Sequence, residues 1–316
     1  MNHIIHHAYH HAHHYKSTKS IYNILIGKKS HQTFFDACSQ SLLSLYHSLP
    51  QLKYPSFERC IKQPPQSTST IMTHPRYTYD SMNNTFKAMQ LLIQTISNTQ
   101  HDVYQFTPIT QQRSIHSKVK AVYQKLKTSE NIVACQQEIE NLFYSIKDKN
   151  GFTYLHYYLQ GFEESMYTRQ QVSLIEGVSQ IELFEYEMMD LVQMLYEIED
   201  SEKYPILHQL IVLPKLLNKT RLSYKGILEG KHMDQLAQEQ NVKINTIEDH
   251  VLELFIKGYL TNYDNYLDTN KFDTFSQYYI KNKSEKLKIY KTLTPELSYF
   301  EIKMAIVGIE RGFFDI

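Results

Sequence analysis

Phosphate-neutralising cations and base-reading amides are the chemistry offered by one stretch of this sequence, Leu222 to Leu260, LSYKGILEGKHMDQLAQEQNVKINTIEDHVLELFIKGYL. Lys225, Lys231 and Lys257 are candidate phosphate contacts, and Lys243, Asn245 and Thr246 cluster at the start of an amphipathic run. An asparagine amide can read adenine in a major groove, whereas lysine neutralises phosphate whatever the base sequence. Glu248, Asp249 and Glu253 are expected on the outer face of the same run, where acids oppose phosphates and can only accept from cytosine amines. Lys28 and Lys29, after Gly27, are a second pair of candidate phosphate contacts, although exposed turn lysines usually do no more than stay hydrated.

Other constellations carry less. His3, His6, His7, His10, His11, His13 and His14 open the chain, and several would stack on one face of a helix, where they could bind zinc or nickel. The plainer reading is a solvated helical end, because no carboxylate or cysteine completes a site. Gly27-Lys28-Lys29-Ser30 superficially resembles a phosphate-binding loop, but Tyr22 stands where that loop needs glycine. His101-Asp102 and Glu301-Ile302-Lys303 match fragments of phosphohydrolase and nuclease motifs, without partners, and the nuclease motif needs a strand where a helix is expected. The middle tyrosines Tyr144, Tyr154, Tyr157, Tyr158, Tyr167 and Tyr186 could stack on bases. Packing borders are the commoner use of such rings, and Glu176, Glu182, Glu185, Glu187 and Asp190 would repel a nearby backbone. We expect no catalytic residues, no metal and no cofactor.

The elements that must position the candidates are helices. Leu236 and Ala237 fall where two helices of a helix-turn-helix meet, and the small Ala237 would permit a close crossing. Asn241 falls in the tight turn, a place for a left-handed backbone. Val242, Ile247, Val251 and Leu254 then supply the face that locks the second helix on the first. Lys243 stands where a small capping residue is usual. Farther on, a helix is expected through Phe275, Tyr279, Leu287 and Tyr290. Ser298 and Glu301 form a capping box ahead of Ile302, Ala305, Ile306 and Ile309. Near the start, Ile21, Ile24 and Leu25 share a helical face, Gly27 is a stop, and Ser30 can cap a helix through Phe34, Phe35, Cys38, Leu42 and Leu45.

The remaining sequence agrees with an all-α protein, an N-terminal helical bundle or array followed by a C-terminal helix-turn-helix module. Of 316 residues, only nine are glycine and nine proline, too few for many hairpins. Helical periodicity recurs at Met82 to Ile96, Val119 to Leu126, Ile132 to Ile146, Tyr154 to Phe162 and Gln171 to Ile198, with no clear repeat period. Lys62 to Arg76, rich in Pro, Ser, Thr and Gln, reads as an exposed loop or linker. The expected organisation is an N-terminal helical subdomain at 1–61, a linker at 62–80, a helical bundle at 81–217 and the module at 218–316. At 42% hydrophobic residues the chain is not disordered. Lys plus Arg equal Asp plus Glu at 33 each, so any basic surface must be local. Cys38, Cys60 and Cys135 form no CxxC pair, which argues against a zinc ribbon or disulfide framework and for a cytoplasmic home. No run is apolar and long enough to span a membrane.

Leu222 to Ile309 resembles the helix-turn-helix domain appended to the C-terminus of RecQ-type helicases. The run SIYNILIGKKSHQT, Ser20 to Thr33, further resembles Gram-positive proteins that carry this domain alone and are encoded beside a RecQ-type helicase. The resemblance implies a non-enzymatic accessory of DNA repair or replication whose partners are DNA, a RecQ-type DNA helicase or both, with no helicase motor of its own. Two other classes share the motif: a transcription regulator, which would be a dimer on paired half-sites, and a protein-binding scaffold that makes no contact with DNA, with the single-stranded DNA-binding protein among its candidate partners.

Overall fold

The computed structural model describes residues 2–64, 71–129, 131–267 and 272–314, and every regular element among them is helical. In chain order these are α1 (Asn2–His11), α2 (Thr18–Leu25), α3 (His31–Ser39), α4 (Tyr54–Ile61), α5 (Tyr79–Gln100), α6 (Arg113–Thr128), α7 (Ile132–Asn150) and α8 (Arg169–Glu176). They are followed by α9 (Gln180–Ile198), α10 (Asn218–Leu228), α11 (Met233–Glu239), α12 (Ile244–Ile256), α13 (Phe272–Lys281), α14 (Leu287–Leu293) and α15 (Tyr299–Glu310). No described helix is long and apolar enough to cross a membrane.

The chain forms two units. One holds residues 80–212 with the short stretches 2–4 and 71–72; the other holds 5–64, 73–79 and 213–314. The N-terminal helices, expected as a subdomain of their own, are therefore part of the same body as the C-terminal module. The stretch 62–80, expected as an exposed linker, also differs. Residues 65–70 lie outside the described residues, but Ile71, His74, Tyr77 and Thr78 are buried. The His74 amide donates to Ser44 Oγ at 3.1 Å, a packing role that a reading of Pro, Ser and Thr content misses.

In the first unit α7 packs on α9 and buries Leu142, Ile146, Leu191, Leu195 and Ile198. The expected single helix from Gln171 to Ile198 is two. Gly177 takes a left-handed φ of 66° that ends α8, and Ser179 with Glu182 forms a reciprocal capping box that starts α9; both local signals favour a break over continuation. Likewise Tyr154 to Phe162 holds only one short 3-10 turn, Leu155–Tyr158. The Asp190 carboxylate, fully buried, accepts from the Tyr154 amide at 2.6 Å and the Asn150 side chain at 3.0 Å. Burial pushes its pKa up to about 6 against the pull of these donors.

In the second unit α12 is the central element and touches α3, α10, α11 and α15. His250, Val251, Leu252, Glu253, Leu254, Phe255, Ile256 and Lys257 are buried in succession. A helix buried on every side is a core element, and its interior polar groups must find partners. The Phe255 carbonyl, one of the last of α12, accepts from the buried Arg311 guanidinium just beyond α15. The capping box of Ser298 and Glu301 is present, with Ile302, Ala305 and Ile306 buried and Ile309 half-buried. The single helix expected through Phe275 and Tyr290 is two, α13 and α14.

Candidate nucleic-acid interface

The helix-turn-helix is built as its spacing requires. α10, α11 and α12 pack as a three-helix group. Asn241 has φ 50°, the left-handed turn expected of it. Leu236, Ile247, Val251 and Leu254 are buried, Val242 half-buried. The close crossing is made at Gly226 rather than Ala237. A Cβ on Gly226 would sit 2.4 Å from the Leu236 side chain, so α10 approaches α11 across a bare backbone, while Ala237 is half-buried.

Only the beginning of α12 is a surface. Lys243 is the N-cap residue, with an extended backbone and no side-chain cap. Lys243 and Asn245 are exposed and Thr246, Glu248 and Asp249 half-buried. Asp249 pairs with Lys303 at 3.5 Å. Burial and the neighbouring Asp249 raise the pKa of Glu248. These residues form the exposed start of the second helix of the motif, the part that in DNA-binding helix-turn-helix proteins meets base edges.

Two expectations fail farther along the helix. Glu253 is not on an outer face, and Lys257 is no phosphate contact: they are 1% and 3% exposed and pair with each other at 2.6 Å. The Lys257 ammonium also donates to the Lys215 carbonyl at 2.7 Å and lies 3.9 Å from the centre of the Phe34 ring. Glu253 in turn accepts from the Leu217 amide at 2.9 Å, from the Thr220 hydroxyl and from His31 Nε2, 3.1 Å away. Burial alone would raise the Glu253 pKa, but His31, Lys257 and Thr220 outweigh it and hold it near 2. Burial pulls Lys257 below its ordinary value. Beside this network His250 accepts from or donates to Ser223 at 2.7 Å, and burial, aided by His31, pushes it down to about 4. The physical reason for both misplacements is α3: its Phe34 ring and His31 cover a stretch of α12 that would face solvent in an isolated module.

The remaining candidates divide by charge pairing. Lys225 is well exposed but 3.8 Å from Glu229, and Lys231 lies between Glu229 at 3.5 Å and Glu239 at 2.8 Å. Lys28 and Lys29 are exposed on a turn held at its base. Gly27 has φ 72°, and the Tyr46 hydroxyl lies 3.0 Å and 3.2 Å from the Gly27 and Lys28 carbonyls. Ser30 caps α3 by accepting from the Thr33 amide. Lys215, Lys219 and Arg221, which the sequence reading passed over, are exposed as well. Their signal was available: three cations in seven positions at the start of a helix.

The other motifs lead elsewhere. The Tyr157 and Tyr158 hydroxyls donate to Glu176 and Glu187, which sets acids beside two of the rings offered as base-stacking candidates. His7 and His11 stack at 3.9 Å and His6 Nε2 lies 3.7 Å from Cys60 Sγ. Among the described residues no three His, Cys, Asp or Glu side chains converge as a metal site. Glu301 serves the cap of α15.

Taken together, these helices place a helix-turn-helix domain in the C-terminal part of the chain. Residues 219–306 match the family model described as a helix-turn-helix domain. Over its length the chain is similar to Protein YpbB of Bacillus subtilis (strain 168), at 21% identity across 329 aligned positions that cover 92% of each chain. No solved structure gives a significant match.

Proposed function

We propose that this chain is a non-enzymatic accessory protein of DNA repair or replication, cytoplasmic, which contacts DNA through its C-terminal unit and works with a RecQ-type helicase. The observation that carries the DNA half is the matched helix-turn-helix at 219–306, with Lys243 and Asn245 exposed at the free end of α12. The helicase half rests on the resemblance of Leu222 to Ile309 to the domain that ends such helicases. The test is binding of the purified chain to fluorescent single-stranded, duplex and forked DNA, together with co-purification with the RecQ-type helicase. Saturable binding of DNA at low salt and a stable complex support both halves. Absence of either at low ionic strength removes that half.

A second reading is favoured by one observation. The exposed rim of α11 carries Asp234 and Glu239, and half-buried Glu248 and Asp249 follow on α12, so the module could serve protein contact instead. In that case the helicase would bind and DNA would not. A partner such as the acidic tail of the single-stranded DNA-binding protein would have to dock on the lysines rather than on this rim.

A further inference from the structure

Lys28, Lys29, Lys215 and Lys219 are exposed lysines of the helix-turn-helix unit that have no ion-pair partner among the described residues, a property they share with Lys243 at the start of α12. They contrast with Lys225 and Lys231, whose charge is compensated by Glu229 and Glu239. The four come from the two ends of the sequence and are gathered by the buried network beneath them. Lys257 holds the Lys215 carbonyl at 2.7 Å. His31, two residues beyond Lys29, lies 3.4 Å from the hydroxyl of Thr220, next to Lys219, across 189 positions of sequence. The turn of Lys28 and Lys29 and the segment leading into α10 therefore rim the same carboxylate, Glu253. Two of the four charges reach the buried groups beside that carboxylate. Lys29 adds to the burial that lowers Lys257, and Lys219 is among the cations that lower His250.

We propose that Lys28, Lys29, Lys215 and Lys219 form one composite surface that grips the sugar–phosphate backbone of DNA, and that most of the affinity comes from here rather than from the acid-flanked start of α12. This rests on the reading of the chain as a DNA-binding protein. The chemistry matches: a phosphate backbone is recognised by unpaired cations with a fixed spacing, and such contacts position a protein without reading sequence. The backbone beneath them is preset by Tyr46 at the turn and by Lys257 at the Lys215 carbonyl, so little ordering is left to occur on binding. The arrangement also resolves the charge problem of the module, since its acidic rim need not approach phosphates.

The experiment uses the full chain and a labelled short duplex and single strand in a salt series. Three variants are compared with the wild type: Lys28→Gln with Lys29→Gln, Lys215→Gln with Lys219→Gln, and all four together. A fourth, Lys243→Gln with Asn245→Ala, removes the exposed end of α12. The expected result is a log–log salt slope shallower by about 2 in each pair and by about 3–4 in the quadruple variant, which also loses at least about tenfold in affinity at low salt. The α12 variant keeps the slope within about one. Circular dichroism checks the fold, and the two pairs keep the test alive should the quadruple variant be unstable. Binding by the wild type with an unchanged slope in both pairs overturns the composite surface and leaves the DNA reading standing, as does a loss confined to one pair. No binding of any DNA by the wild type overturns the DNA reading and this surface with it. Capture of an acidic peptide in place of DNA, lost in the quadruple variant, would reassign the lysines to a protein partner.

Discussion

Asn245 and Glu253 stand on the same helix and were expected on the same face, yet one is exposed and the other is 1% exposed. The first turns of α12 obey surface chemistry: polar groups, half-exposed acids and one loose pair with Lys303. Its second half obeys interior chemistry, where each polar group is matched and the apolar ones are sealed by α3, α10 and α15. The difference teaches that the second helix of a helix-turn-helix can be held as core by elements far earlier in the chain, leaving only a tip exposed. α9 sharpens the point from the other unit. Asp190 is as buried as Glu253 but is met by an amide and an asparagine instead of a lysine and a histidine. One carboxyl rises to about 6 and the other falls to about 2.

The largest expected effect comes from breaking the interior half. Phe255→Ala, at a fully buried position, should cost about 3–5 kcal/mol in denaturant unfolding; a loss below about 1 kcal/mol would mean that α3 and α15 do not seal this half. Next, Glu253→Gln should cost about 3 kcal/mol by leaving Lys257 without its counter-charge. The double change Glu253→Gln with Lys257→Met should recover part of that loss, and an equal or greater loss would show that the ion pair is not what links them.

Acidification should separate the two units. Asp190 has a folded pKa of about 6, above its ordinary 3.8, so the cost of its buried charge is fully present above pH 6. That cost is relieved as pH falls from 6 toward 4, on the order of 1–3 kcal/mol. In the other unit His7, His13 and His250 are each held down to about 4 from 6.5, in every case first by burial. The unfolded chain then protonates before the folded one, and stability is lost as pH falls from 6.5 to 4. Amide exchange at about pH 7 and about pH 5, corrected for intrinsic rates, should therefore show protection rising around α9 and falling around α12. Asp190→Asn should flatten the first trend alone. The smallest effect belongs to the surface half: Asn245→Ala should change stability by less than about 0.5 kcal/mol, and a larger loss would place the tip of α12 inside the folded core.

Much of this was legible in the sequence where the cause is local. Asn241 announced its left-handed turn, Ser30 its cap, and Ser298 with Glu301 their capping box. Gly177 and Ser179 announced the break before α9 too, but the apolar period running through them masked it. The site was less legible because its causes are distant. Glu253 reads as an outer-face acid and Lys257 as a phosphate contact, and nothing near them in sequence says that Phe34 and His31 will cover them. For the same reason the charge of Lys225 and Lys231 was over-read and that of Lys215 and Lys219 missed: whether a surface lysine is free depends on which acids fold beside it.

The contact between α3 and α12 has a consequence in time. During synthesis His31 emerges long before Glu253, and at roughly 5–20 residues per second the wait is on the order of tens of seconds. Throughout it the apolar Phe34 and Phe35 of α3 lack their cover, while residues 80–212 are already free to fold. The helix-turn-helix unit thus closes after residues 80–212 can fold, although its helices α2 and α3 precede them in the chain. A destabilising change in α3 should lower the yield of folded protein in the cell more than it lowers the stability of the molecules that do fold.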